Sequence, residues 1–214
     1  MIKPQEIYSE FKLFNYIEVL ENIQNEKISA PVHIRIKPTN LCNHDCWYCA
    51  YRSSNVQLGN NMQIRDKLPY DKFNEIAENI IEMGVEAVTF SGGGEPLLYK
   101  KLPLIIEKLA KGGVKIAALT NGSNLKGNMA LAFQKYGTWI RISIDGYDDK
   151  SYSKSRGIKD NSFSKLLENI KKFTSTDTKC IVGCSLIIDN SNYKHIYELC
   201  LKLKIIGVKN VKIS

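Results

Sequence analysis

From residue 32 onward, the sequence alternates short apolar runs with amphipathic helical patterns, and this alternation is the strongest constraint on its fold. The predicted strands cover 32–36, 86–90, 114–120, 139–145, 179–188 and 208–214. The predicted helices between them cover 70–83, 100–111, 125–136, 163–175 and 192–206. Glycine follows several of these helices, at Gly84, Gly112, Gly137 and Gly207, which is a common signal for a helix end. Strands and helices in this order predict successive βαβ units around a parallel sheet.

Six such units are fewer than a closed eight-stranded barrel contains, since closed barrels typically need about 250 residues. Right-handed crossovers would wind all six strands in the same direction. We therefore predict an α/β fold, a partial (β/α)6 TIM-like barrel of parallel strands, over residues 32–214.

Both ends of the chain differ from this repeating pattern. Residues 1–31 predict an N-terminal helical extension, because apolar residues recur every three or four positions over 5–25. Its polar face mixes acids with lysines, so we expect it to cover one end of the core rather than to bind a membrane. At the other end, no helix follows the sixth strand, and an uncovered parallel strand is unusual. We expect either a longer polypeptide or another segment or subunit that covers this strand.

Composition restricts the class of protein only broadly. The 214 residues are 43% hydrophobic and 24% charged, as in ordinary globular proteins. The longest apolar run, 181–188, is too short to span a membrane, and the first ten residues lack a signal-peptide pattern. We therefore predict a cytoplasmic protein without a membrane partner. The net charge of +8 comes mainly from lysines spread along helices without interleaved aromatics, so it does not indicate nucleic-acid binding.

Three of the six cysteines lie within eight residues, as a C-x3-C-x2-C loop directly after the first predicted strand. These are Cys42, Cys46 and Cys49. Thiolates this close can converge on one inorganic centre, and an iron–sulfur cluster normally takes four protein ligands. Three ligands would leave one metal position open for chemistry. Alternatively, the loop could bind zinc, with His44 as the fourth ligand.

The remaining cysteines are scattered among apolar neighbours, at Cys180, Cys184 and Cys200. Free cysteine is among the most frequently buried residue types. We therefore predict that these three are small buried hydrophobes rather than ligands of a second cluster.

Polar motifs follow the next three strands, at the point where each strand ends. They are 91–96 (SGGGEP), 120–122 (TNG) and 143–146 (SIDG). In parallel α/β folds the carboxyl ends of the strands form the active site. Taken singly, the glycine run and Asp145-Gly146 could be simple turns. Their order on consecutive strands predicts one site at this edge of the sheet.

With these motifs in this order, residues 32–214 resemble the core domain of the radical S-adenosylmethionine (radical SAM) superfamily. The family carries a CxxxCxΦC loop with an aromatic residue at Φ, which here is Tyr48. The resemblance implies that Cys42, Cys46 and Cys49 each bind one iron of a [4Fe–4S] cluster. It also implies that the amino and carboxylate groups of SAM chelate the fourth iron.

The resemblance further implies which residues contact SAM. Gly92, Gly93, Gly94 and Glu95 resemble the GGE motif, whose backbone carbonyls and acid take the ammonium group of the methionine moiety. Ser143 and Asp145 resemble positions near the ribose hydroxyls and the methionine end of SAM. Arg156, placed by the sequence in a loop, resembles an arginine that pairs with the SAM carboxylate. Backbone atoms of Tyr48 would lie near the adenine.

The implied function is reductive cleavage of SAM to a 5′-deoxyadenosyl radical, which abstracts a hydrogen atom from an unidentified substrate. That substrate could be a small molecule, a sugar, a nucleotide or a peptide, and we expect the long polar loop 50–68 to help select it. The resemblance also implies an electron donor such as flavodoxin or ferredoxin. The motifs look most like the branch that often carries a C-terminal SPASM or twitch extension, which these residues do not include.

Two alternatives stay open: an activase that places a glycyl radical on a partner enzyme, and a non-enzymatic zinc-binding module. Three neighbouring side chains receive structural interpretations. His44 and His195 are predicted to be surface residues, and Trp47 is predicted to pack beside the cluster.

Overall fold

The structure is a computed structural model that describes residues 14–52, 61–159 and 161–214. It divides into two compact units, Met1–Val32 and His33–Ser214. In the first unit, the described residues contain one helix, α1 (Ile17–Gln24). This helix matches the second half of the predicted 5–25 helix, whereas 5–13 lies outside the described residues.

The second unit contains one sheet of six parallel strands in sequence order. Its strands are β1 (His33–Ile36), β2 (Ala87–Phe90), β3 (Lys115–Thr120), β4 (Gly137–Ser143), β5 (Ile181–Leu186) and β6 (Asn210–Ile213). Its helices are α2 (Tyr70–Glu82), α3 (Leu102–Lys111), α4 (Gly127–Tyr136), α5 (Asp149–Arg156), α6 (Ser162–Thr174) and α7 (Ile196–Ile205). The predicted α/β fold is confirmed, with β1 and β6 at the two edges of an open sheet.

One face of the sheet forms the hydrophobic core together with the helices. Helix α3 shows why, because its buried residues Leu102, Ile105, Ile106 and Leu109 recur at the spacing of one helical face. Burying each such side chain contributes about 1.5–3 kcal/mol relative to leaving it in water. Alternate strand residues point into the same core, among them Val88 and Ile140. None of the described helices is both long and apolar enough to cross a membrane.

Helix α5 was not predicted from the sequence, which placed Arg156 in a loop. The segment begins with a capping box, in which the Asp148 side chain accepts a hydrogen bond from Ser151 N at 2.7 Å. It ends at Gly157, whose φ of 60° is a left-handed conformation suited to glycine. Arg156 is therefore the last residue of a helix, and the loop assignment was wrong because this serine-rich segment lacks apolar periodicity.

The scattered cysteines follow the sequence prediction. Cys180 and Cys184 are buried in the core, and Cys200 is half-buried against it. Burial raises the pKa of Cys180 and of Cys184 to about 12. These three residues are structural parts of the hydrophobic core.

Candidate active site

The cysteine loop leaves the carboxyl end of β1 and is fixed by a side chain that the sequence did not single out. Arg52 donates hydrogen bonds from Nη1 to His44 O (2.9 Å) and from Nη2 to Cys42 O (3.2 Å). Cys49 N donates to Cys46 O at 3.0 Å, and Arg52 N donates to Cys49 O at 3.0 Å, so the loop closes in successive turns. The guanidinium thus ties the start of the loop to its end.

The thiols of Cys42, Cys46 and Cys49 are free and half-buried. Burial raises the pKa of the Cys42 thiol, whereas the hydrogen bond that the backbone N–H of His44 donates to its sulfur acts to lower it. Over the described ranges, no three His, Cys, Asp or Glu side chains converge as ligands of a single metal ion. The three thiols lie on one short loop at the carboxyl end of β1.

The glycine run after β2 packs directly on the cysteine loop. A Cβ atom on Gly94 would lie 2.3 Å from Leu41 O, and one on Gly92 would lie 2.2 Å from Gly94 O. Glu95 N donates to Leu41 O at 2.8 Å, which joins the two loops. At Gly93 a Cβ would meet the flexible Met62 side chain, at 2.5 Å from its sulfur. Glycine at 92 and 94 therefore permits an approach of backbone to backbone that no side chain would allow.

Glu95 is 3% exposed and is held by the polar motif that follows β3. Its Oε1 accepts from Leu97 N (3.0 Å) and Thr120 Oγ1 (2.5 Å), and its Oε2 accepts from Asn121 N (2.7 Å). Burial raises the pKa of Glu95, although these three hydrogen bonds oppose the shift. Glu95 is thus a buried carboxylate that joins the ends of β2 and β3.

The end of β4 carries a buried ion pair that reaches the cysteine loop. Arg156 Nη2 lies 2.7 Å from Asp145 Oδ2, and their side chains are 5% and 6% exposed. The Tyr48 hydroxyl donates a hydrogen bond to the same carboxylate oxygen. Burial raises the pKa of Tyr48, and the negative charge of Asp145 adds to this shift, whereas the positive charge of Arg156 opposes it. Arg156 Nη1 donates to the sulfur of Cys46 at 3.5 Å. Four predicted residues from three separate parts of the sequence are therefore linked by direct contacts.

Two buried donors of Arg156 lack an aligned acceptor among the described residues. These are Nε and Nη2. Nη2 forms the ion pair with Asp145, but it is not aligned for a hydrogen bond to that carboxylate. An unsatisfied buried donor costs about 1–3 kcal/mol, more for a charged group. This position therefore fits an anionic ligand group such as a carboxylate.

Ser143 and Asp145 lie at the boundary of β4 and β5. Ser143 Oγ lies 3.3 Å from Ser185 Oγ on the neighbouring strand. Asp145 Oδ1 accepts from Ile187 N at 2.8 Å. Both residues are held at the carboxyl edge of the sheet, where the sequence predicted them.

Three interpretations of neighbouring side chains need correction or comment. His44 is 5% exposed and packs edge-on against Tyr152, so the surface prediction was wrong. Burial, followed by the charge of Arg156, lowers its pKa to about 4. Trp47 is 68% exposed and lies edge-on to Tyr48 of the cysteine loop, with 5.6 Å between the ring centroids. His195 is half-buried and stacks on Tyr147 at 3.7 Å between ring centroids. Loop conformation decides these exposures, and residue type alone does not predict it.

Comparison with known proteins extends these observations. A family model described as the Radical SAM superfamily matches residues 36–203. A nucleotide dehydratase of Lacinutrix mariniflava, named as S-adenosylmethionine-dependent, is 34% identical over 110 residues, which are 51% of this chain and 22% of that protein. A GTP 3′,8-cyclase of Tolumonas auensis is 26% identical over 177 residues, covering 80% of this chain and 49% of that protein.

Among solved structures, Streptococcus suis SuiB bound to the precursor peptide SuiA superposes with a TM-score of 0.72 at 20% identity. The match covers 94% of this chain and 43% of SuiB. A likeness at this identity concerns the fold. This chain spans less than half of the length of each of these three proteins.

Proposed function

The chain belongs to the radical SAM superfamily of enzymes, which use a [4Fe–4S] cluster and SAM, and we propose that its second unit holds both at the carboxyl edge of the sheet. In this proposal Cys42, Cys46 and Cys49 bind three irons. SAM would bind at the remaining iron. The close packing of Gly94 on the backbone of Leu41, directly before the first cysteine, supports a shared site, since it brings the ends of β1 and β2 together.

The proposed SAM contacts follow the same edge. The backbone carbonyls of Gly92, Gly93 and Gly94 take the ammonium group. The Glu95 carboxylate already accepts three hydrogen bonds, so it chiefly holds this glycine loop in place and has about one acceptor position left. Glu95 therefore supports the ammonium contact indirectly, by fixing the position of the glycine loop.

The methionine carboxylate is assigned to Arg156, whose buried Nε and Nη2 donors lack aligned acceptors in the described part of the chain. Ser143 and Asp145 contact the ribose and the methionine end of SAM in this proposal. The backbone of Tyr48 contacts the adenine, while its hydroxyl keeps Asp145 oriented.

When bound, the cluster and SAM would supply radical chemistry, in which one electron cleaves SAM to methionine and a 5′-deoxyadenosyl radical able to take a hydrogen atom from the substrate. The protein positions these groups and excludes water from them. An electron donor of the flavodoxin or ferredoxin type completes the proposed reaction. The two sequence relatives described above are named for reactions of nucleotides, which makes a nucleotide the leading substrate class.

The observation that carries this proposal is the contact between the cysteine loop and the end of β4. Arg156 touches Cys46 and Asp145 at once, so the three-thiol loop and the proposed SAM contacts form one site.

The direct test is anaerobic reconstitution with iron and sulfide, followed by reduction in the presence of SAM. We expect a brown protein with about four irons that forms 5′-deoxyadenosine. Cys46→Ala should lose the intact cluster, while Cys200→Ala, a matched change outside the site, should keep it. One bound zinc per chain without SAM cleavage would instead favour the zinc-binding module and overturn the proposal.

A further inference from the structure

A cavity of about 290 Å³ lies beside the cysteine loop, and we call it the loop cavity. Four parts of the second unit surround it: the cysteine loop, the turn between β3 and α4, helix α5 with the segment that follows it, and the amino-terminal part of α6. Its lining contains neither a cluster cysteine nor a proposed SAM contact. The polar residues of the lining include Asn43, His44, Ser123, Lys126, Lys165 and Asn169.

The loop cavity is adjacent to the proposed SAM contacts through one buried side chain. Tyr152 lines the cavity and is 1% exposed. Its ring centroid lies 5.7 Å from Cζ of Arg156 and 6.1 Å from the ring centroid of His44. A molecule in the loop cavity would therefore lie close to the cysteine loop without occupying the site proposed for SAM.

His44 brings an unsatisfied polar atom to the wall of this cavity. The residue is 5% exposed, and its Nδ1 is buried without a hydrogen-bond partner in the part of the chain that the structure describes. Nearly all buried polar atoms in folded proteins have a partner, which is either protein or a bound molecule. His44 therefore indicates that a polar molecule binds here.

Two lysines give the loop cavity a positive charge. Lys126 directly precedes α4, and Lys165 lies in the second turn of α6. No carboxylate of the described residues forms an ion pair with either of them. Glu168, the one acid among the described lining residues, is paired instead with Lys172, at 2.7 Å between Oε1 and Nζ. The described lining therefore favours an anionic ligand.

Hydrogen bonds between the surrounding segments hold the wall of the cavity in place. Asn43 Nδ2 donates to Ser123 Oγ at 2.9 Å, and Asn43 Oδ1 accepts from Asn121 Nδ2 at 3.0 Å. Asn169 Nδ2 donates to Ser123 O at 3.4 Å. The cysteine loop, the turn after β3 and helix α6 are thus joined before any ligand binds. A preformed wall lowers the ordering cost of binding.

We propose that the loop cavity binds a small dianion, either a phosphate monoester or a dicarboxylate, with Lys126 and Lys165 as its charged contacts and His44 as a hydrogen-bond partner. A lysine ammonium is a mobile point charge that accepts phosphate and carboxylate oxygens alike, so the chemistry shared by the two sources is negatively charged oxygen. The volume lies near the lower end for small-molecule sites, so the ligand is a compact one. Because Asn43 and His44 directly follow Cys42, a bound dianion should also stabilise the cysteine loop.

The test is calorimetric titration of the anaerobically reconstituted chain against two matched pairs of probes. SAM is present throughout, so that the anions do not compete for the proposed SAM site. The pairs are glycerol 3-phosphate with glycerol, and succinate with succinamide. We expect at least one dianion to bind about tenfold or more tightly than its uncharged partner. The pair that shows the difference identifies the source of the charge, phosphate or carboxylate, and equal binding within both pairs would overturn the inference.

Variants test whether the two lysines carry this preference. Lys126→Ala/Lys165→Ala should lose about tenfold or more of the affinity for the preferred dianion. Both lysines are exposed, so the variant should fold like the wild type. The control is Lys171→Ala/Lys202→Ala, which removes the same charge from exposed positions on α6 and α7 and should change the affinity less than about twofold. Equal losses in the two variants would contradict the assigned contacts.

Hydrogen exchange followed by mass spectrometry locates the bound dianion. Exchange should slow in the segments that surround the loop cavity, 41–49, 121–128 and 158–170, and should stay unchanged in β5. Slower exchange confined to other segments would place the dianion elsewhere and overturn the inference.

The failures of the two proposals are distinguishable because iron content and SAM cleavage are measured on the same wild-type preparation. A protein that takes up the cluster and cleaves SAM, yet prefers neither dianion, contradicts only the inference about the loop cavity. A protein that prefers a dianion but takes up no cluster contradicts only the proposed function.

Discussion

Arg156 Nη1 donates a hydrogen bond to the sulfur of Cys46 at 3.5 Å, while Nη2 of the same guanidinium lies 2.7 Å from Asp145 Oδ2. The backbone carbonyl of Arg156 also accepts from Asp45 N at 2.8 Å. One residue at the end of α5 thus connects a proposed cluster ligand with the end of β4. Because the side chain is only 5% exposed, its removal affects both the stability of the fold and the electrostatics of the proposed cluster.

The first prediction concerns the stability of the Asp145–Arg156 pair. Arg156→Met should lower the free energy of unfolding by about 3–5 kcal/mol, because it leaves a buried carboxylate without its cation. Asp145→Asn should be destabilising for the complementary reason. The double variant should lose less than the sum of the two, with a coupling energy of about 0.5–3 kcal/mol. Urea unfolding of the four proteins without cluster measures this cycle, and strictly additive losses would show that the pair is not coupled.

The second prediction concerns the reduction potential of the proposed cluster. Hydrogen bonds to cluster sulfurs raise the potential, because they stabilise the more negative reduced form. Arg156→Lys keeps the charge but cannot reproduce both contacts of the planar guanidinium. Losing a hydrogen bond worth about 0.5–1.5 kcal/mol should lower the potential by ~20–60 mV. A redox titration followed by electron paramagnetic resonance measures it.

Lys171→Ala, an exposed change on α6, is the control for this titration. Its potential should match that of the wild type within the error of the measurement. A potential of Arg156→Lys that is also unchanged would contradict the inferred contact between Arg156 and Cys46 in the loaded protein.

The parallel sheet was predictable from the sequence because each of its strands and five of its helices carries its own periodic pattern. Helix α5 was not, since it is held by the Asp148–Ser151 capping box and by burial of Tyr152 and Arg156 rather than by an apolar stripe. Propensity and periodicity report on a local segment. They do not report on a polar helix that is stabilised by what it packs against.

The candidate site was likewise only partly predictable from the sequence. The order of the polar motifs predicted that the cysteine loop, the glycine run and Asp145 would share one edge of the sheet. Their partners were not predictable, because the contacts join distant parts of the chain: Tyr48 and Asp145 are 97 positions apart. The sequence likewise pointed to Thr120 and Asn121 without showing that their task is to hold Glu95.

The third prediction tests the close approach of the glycine loop to the cysteine loop. Gly94→Ala would place a Cβ atom 2.3 Å from the backbone oxygen of Leu41, so the two loops must separate. Overpacking of this kind typically costs about 1–3 kcal/mol, and iron uptake should fall several-fold. The comparison is Gly93→Ala, whose Cβ would meet side chains rather than backbone, chiefly the flexible end of Met62, and should cost less. Iron analysis and urea unfolding measure both variants, and equal losses would contradict the steric explanation.

The fourth prediction separates the structural cysteines from the proposed ligands. Cys184 is fully buried, and burial raises the pKa of its thiol to about 12, so at pH 8 very little of it is the thiolate that reacts with iodoacetamide. In the folded protein without cluster, Cys184 and Cys180 should therefore stay unlabelled over a time in which the half-buried Cys42, Cys46 and Cys49 are alkylated. Mass spectrometry of the digested protein measures each site, and the same reaction in urea should label all six cysteines. Labelling of Cys184 at the rate of Cys46 under native conditions would show that the core around β5 opens readily, contrary to its complete burial.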